Sequence, residues 1–115
     1  MVSAISSGSV DGVGIGRPAS EEPDFAKLVI EGSISSARKS LFDETDILGT
    51  NMVAGTQLEQ VGAGVTPLNS ASPEEVAKFK EILAKFKLRA EELMKAGILE
   101  AGYTSVLNRQ LPSFV

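Results

Sequence analysis

Cysteine and histidine are absent from this 115-residue chain, and tyrosine occurs once. Without thiols there is no disulfide framework, no thiolate chemistry and no zinc site of the usual kinds. Without imidazole there is no histidine acid–base catalysis within the chain. Positive charge is also limited: 11 basic side chains stand against 15 acidic ones, net −4, with no basic cluster. A protein that tracks nucleic-acid phosphates lacks its positive footprint here. Long apolar runs are missing too, and no segment approaches the roughly 20 apolar residues that span a bilayer. The opening "MVSAISSGSV" has neither a positive leader nor a long apolar run, so it does not read as a signal peptide. A soluble, cytoplasmic chain is the expectation, with no nucleic acid and no membrane among its partners.

The length suits one modest domain with a core of its own. Residues 1–9 read as a short helix, with Val2 and Ile5 spaced for one face and Gly8 as its stop. Pro23 to Glu31, "PDFAKLVIE", reads as a second helix: Pro23 suits its first turn, Asp24 complements the dipole and Gly32 ends it. Phe25 and Leu28, three apart, share its buried face. A further short helical piece is expected around "SARKSLFDE". Residues 49–71, "GTNMVAGTQLEQVGAGVTPLNSA", carry four glycines and a single charge, Glu59. No period of 3.6 or 2 runs through them, and such a stretch is unusual inside a compact domain. Its low charge is equally unlike ordinary disorder. An ordered tail lying on a larger surface is the expectation.

The clearest helix follows. Ser72 caps it, Pro73 takes its first position, and Glu75 completes a capping box with Ser72. Val76, Phe79, Ile82, Leu83, Phe86, Ala90 and Leu93 recur as one apolar stripe, and Gly97 marks the end. Over this segment six basic residues balance six acidic ones, Glu100 included, so it lacks the basic excess of a membrane-surface helix. Packing on a core is the plainer reading of the stripe. Docking on a partner, as a non-catalytic interaction protein, is the alternative, and a truncated gene product is another.

The chemistry-bearing stretch is "DGVGIGRP", residues 11–18. "VDGVGI" reads as a strand with Val13 and Ile15 on one face and Gly12, Gly14 and Gly16 on the other. Nothing else reads as a strand, and a lone strand leaves its N–H and C=O groups unpaired. Either the segment is not a strand or its partners lie on other polypeptide. Three phosphate-binding patterns compete for the glycines. A dinucleotide-binding fingerprint fails because Arg17 stands where its last glycine belongs, and a P-loop fails because no lysine follows Gly16. The pattern left is the phosphate site at the last strands of a TIM barrel. There small residues let backbone amides approach the anion, a helix N-terminus follows, and an arginine adds a bidentate donor. The plain alternative makes this a simple turn, with Arg17 paired to Glu21, Glu22 or Asp24.

At these residues the sequence resembles the FMN-dependent oxidoreductases of the old yellow enzyme type, the ene-reductases of fungi and plants. "VDGVGIGRPASEEPDFAKLVIEG" is similar to their eighth strand, Gly-Arg-Pro turn and "DPD" helix, with Glu22 replacing the first aspartate. "MVSAISSGS" is similar to the preceding helix, and "FDETDILGTNMVAGTQLEQVG" to a C-terminal extension of fungal members. The resemblance is specific over residues 1–32, looser to about 62, and weak beyond. It implies an α/β fold, the C-terminal part of a (β/α)8 TIM barrel: a last βα unit at 1–32, an extended loop segment at 33–71, and an amphipathic helix and tail at 72–115. The isolated chain would be mostly helix and irregular, with one short strand. It also implies that Gly16 and Arg17 contact the FMN phosphate, and that NADH or NADPH is the reductant in full-length members. The implied partner is the remainder of the barrel or a homo-oligomer. Catalytic residues are not implied: the substrate-holding histidine has no counterpart, and Tyr103 in "AGYTSV" matches no family motif and reads as structural.

Overall fold

Glycine and proline divide the chain into helices of very different worth. The computed structural model describes residues 2–99, and among them helices alternate with irregular chain and no strand occurs. The helices are α1 (Val2–Ser6), α2 (Pro18–Glu21), α3 (Phe25–Ile30), α4 (Ile47–Gly62) and α5 (Pro73–Lys95). Gly8, Gly32, Gly64 and Gly97 each take a positive φ just after a helix, the left-handed conformation that closes helix ends.

The core lies between the two long helices. Met52 and Val53 of α4 meet Phe79, Ile82, Leu83 and Phe86 of α5, and Leu68 from the connecting loop sits among them. Phe79 and Leu68 are wholly buried. Phe42 reaches in from the 33–46 segment and sets its ring edge-on to Phe79, with centroids 5.6 Å apart. The stripe expected for α5 is therefore covered within the chain from Val76 to Phe86, while Ala90 and Leu93 are half-buried. Ser72 caps α5 by accepting from the Glu75 N–H at 3.4 Å. Glu75 does not complete the reciprocal box: its Oε2 accepts from the Asn69 N–H at 2.6 Å, and the Ser72 N–H goes to the Asn69 carbonyl. The carboxylate thus ties the loop, rather than the cap, to the helix.

Several expectations need correction. Residues 10–16 form no strand. They run as exposed irregular chain with only Ile15 half-buried, and nothing lies alongside to accept a ladder of hydrogen bonds. With no strand or sheet among the described residues, the TIM-barrel assignment of this chain is overturned: what folds is a helical pair with short helices and irregular segments around it. Residues 33–46 hold no helix around "SARKSLFDE". The stretch 49–71 is no tail on a foreign surface. Its first part is α4, which α2 packs against and which supplies Met52 and Val53 to the core. The helix expected from Pro23 begins at Phe25, and Pro18 instead opens the separate single turn α2. Phe25 is buried and Leu28 half-buried, as their spacing implies. Tyr103, Glu100 and the end of the 72–115 tail lie outside the described residues.

Candidate functional site

Gly16 and Arg17 lead directly into α2. The Gly16 carbonyl accepts from the Ala19 N–H at 2.9 Å, and Pro18 takes the first helical position, where its missing N–H costs nothing. Arg17 is exposed, and its Nη1 donates to the hydroxyl of Thr50 in the first turn of α4. Among the described residues no carboxylate lies within ion-pair distance of it. The plain pairing with Glu21, Glu22 or Asp24 is not what forms. Glu22 accepts from the Arg38 N–H at 2.8 Å, and Glu21 is committed elsewhere.

Glu21 is the buried hinge of this region. One carboxylate gathers Arg38 Nη1 at 2.6 Å, the Ser70 N–H at 3.0 Å, Gln57 Nε2 at 3.3 Å and the Ser70 hydroxyl. A buried charge is tolerated only when paired and hydrogen-bonded in this way. The four donors come from three segments remote in sequence, so a single side chain joins α2 to α4, to the 33–46 segment and to the loop before α5. Ser20 completes the joint, its hydroxyl shared between the Arg17 carbonyl at 2.6 Å and Gln57 Oε1 at 2.9 Å.

Between these groups opens a cleft of about 100 Å³, lined by Arg17, Arg38, Ser40, Thr50 and Ser70, with Val53 and Ala54 at its apolar wall. Glu21 and Glu44 supply its negative charge. Ligand pockets that enclose a cofactor run to ~300 Å³ or more. This cleft is the size of an anionic group, not of a flavin. A neighbouring groove of about 330 Å³ runs between Asp43, Asp46 and Gly49 on one side and Lys80, Leu83 and Lys87 of α5 on the other. Among the described residues no three His, Cys, Asp or Glu side chains gather to hold a metal ion.

The glycines of the turn have no structural explanation among the described residues. Gly12, Gly14 and Gly16 do not take positive φ, and a Cβ added at any of them meets nothing within 4 Å among the described residues. Neither backbone conformation nor internal packing requires glycine there. The helix expected to follow the turn and hold an anion at its N-terminus is not delivered as expected, because α2 has four residues and α3 six. Helices this short carry little macrodipole, which leaves the guanidinium as the main positive element.

Of the two residues singled out in the sequence, Arg17 lines the cleft, whereas Gly16 does not and adjoins it only through its bond to Arg17. Thr50, Arg38 and Gln57 were not visible as site residues in the sequence: the stretch bearing Thr50 and Gln57 reads as irregular, and Arg38 lies in a piece expected to be a short helix of its own. One signal was available: Asp46 is a residue type that caps a helix N-terminus, and its carboxylate does accept from the Gly49 N–H at 2.9 Å. Comparison with protein-family models and with curated proteins finds no match.

Proposed function

We propose that this chain carries the phosphate end of an FMN site in an oxidoreductase of the old yellow enzyme type. Gly16 offers backbone and Arg17 a charged fork to the phosphate. The carrying observation is that Arg17 lines a cleft with no carboxylate partner among the described residues, and that the glycines just before it in the chain are crowded by none of those residues. A site that admits an anion needs both a cation left available and backbone free of Cβ atoms. The flavin ring contacts, the nicotinamide cofactor and the groups that hold a substrate belong to other polypeptide, since a cleft of this size reaches only the phosphate. The N-terminal part supports the same reading. Residues 2–19 bury no side chain, and Val2, Ile5, Val10 and Val13 are exposed. A cytoplasmic setting is part of the proposal, and among the described residues no helix is long and apolar enough to cross a membrane.

With two or three hydrogen bonds and a loop to order, the affinity of this chain for FMN is on the order of millimolar. The test follows the backbone amides of Gly12, Gly14, Gly16 and Arg17 by NMR while FMN, riboflavin and inorganic phosphate are added in turn. FMN and phosphate shift these signals, riboflavin does not, and Arg17→Ala removes the response. Equal shifts with riboflavin, or none with phosphate, overturn the proposal. The alternative reading, a partner-binding helix, rests on less of the α5 stripe: Val76 to Phe86 are covered within the chain, and only Ala90 and Leu93 are left half-buried.

A further inference from the structure

We infer that Thr50 positions the Arg17 guanidinium for a phosphate monoester, so that α4 sets the selectivity of the Gly16–Arg17 turn. The inference rests on the phosphate reading above and adds a residue to it.

An exposed arginine samples many rotamers, and holding one of them costs side-chain entropy. Arg17 is not left to do so: Nη1 is bound to the Thr50 hydroxyl oxygen, and both residues line the same cleft. The direction of that bond is fixed by the rest of the Thr50 environment. Its hydroxyl has a single proton, and the α4 carbonyls of Asp46 at 2.7 Å and Ile47 at 3.2 Å take it. The oxygen is then left as an acceptor, which is the role the guanidinium needs. Thr50 itself is fixed in space by the Asp46 cap one turn earlier and by Met52 and Val53 in the core just after it. One of the five guanidinium N–H donors is used in this anchor. Four remain, enough for the two-pronged grip that matches a phosphate. Arg38 and Glu44 line the same cleft; Arg38 is held by Glu21, and Glu44 opposes an anion.

The experiment uses the full chain with labelled nitrogen, following the Arg17 side-chain Nε–H and the amides of residues 12–18 as inorganic phosphate, then FMN, is added. Thr50→Val, which keeps the β-branched shape, raises the phosphate midpoint about tenfold, with the melting temperature unchanged. Thr50→Ser restores the wild-type midpoint, and Thr50→Ala repeats the loss should valine disturb the helix. A Thr50→Val midpoint equal to wild type, with Arg17→Ala still abolishing binding, sinks the role of Thr50 and leaves the phosphate site standing. No response of the wild-type chain to either probe sinks the site itself and Thr50 with it.

Discussion

Gln57 donates from Nε2 to the backbone carbonyl of Leu68 at 2.8 Å, while the side chain of Leu68 lies wholly buried in the core. Three residues further along α4, Gln60 Oε1 accepts from the Leu68 N–H at 2.8 Å. Two glutamines thus satisfy both backbone groups of one loop residue. An irregular segment can then enter the core without stranding its polar groups.

Replacing Gln57 by leucine keeps the volume but leaves the Leu68 carbonyl short of its donor and Glu21 with one donor fewer, while the Ser20 hydroxyl keeps the Arg17 carbonyl. The expected destabilisation is about 1–3 kcal/mol in chemical denaturation. Gln60→Leu should cost a similar amount, and the double variant should depart from the sum because both act on one residue. Strict additivity would show that the two clamps do not share the loop.

Glu21→Ala removes the acceptor for Arg38, Ser70 and Gln57 together, and the expected loss is about 2–3 kcal/mol. Arg38→Ala should cost less, because its guanidinium is partly in water and Glu21 keeps its other three donors. Equal losses for the two variants would contradict the view that the carboxylate, not the ion pair, is the joint.

Flavin should not survive desalting. The chain expressed alone and passed over a gel-filtration column should be colourless, since a millimolar complex dissociates on dilution. A yellow preparation holding stoichiometric FMN would show that more of the flavin site is present than a phosphate-sized cleft.

Asp43 and Glu81 should titrate below their ordinary values. The Thr45 hydroxyl, donating at 2.6 Å, and then the Thr45 N–H at 2.9 Å hold the Asp43 carboxyl below the usual 3.8. The Lys85 ammonium, hydrogen-bonded at 2.8 Å, lowers Glu81 from 4.5. A lowered folded value means a contribution that is present above the ordinary value and lost as pH falls through the folded one. Carboxyl-carbon NMR titration should return Asp43 towards 3.8 in Thr45→Ala, and Glu81 towards 4.5 in Lys85→Met. An unchanged Asp43 midpoint in Thr45→Ala would remove the assigned cause.

What the sequence determined by itself is α5 and the punctuation of the chain. Ser72, Pro73, the stripe from Val76 to Phe86 and Gly97 act within a turn or two, and local chemistry suffices to place them. The short helix before Gly8 and the one around Phe25 were legible for the same reason. What only the tertiary structure decided is α4 and everything built on it. Its inward face carries Thr56, Gln57 and Gln60 among Met52 and Val53, so the apolar period that marks a buried helix is interrupted by polar side chains. The partners of Gln57 and Gln60, namely Glu21, Ser20 and Leu68, lie remote in sequence or on an irregular loop, and no local pattern announces them. The same holds at the candidate site. Gly16 and Arg17 could be singled out from their types, whereas the freedom of Arg17 from the nearby acids follows from Glu21 being drawn inward by Arg38 and Ser70. The strand at 10–16 fails for a related reason: extended chain becomes a strand only when another segment accepts its hydrogen bonds, and none of the described residues does.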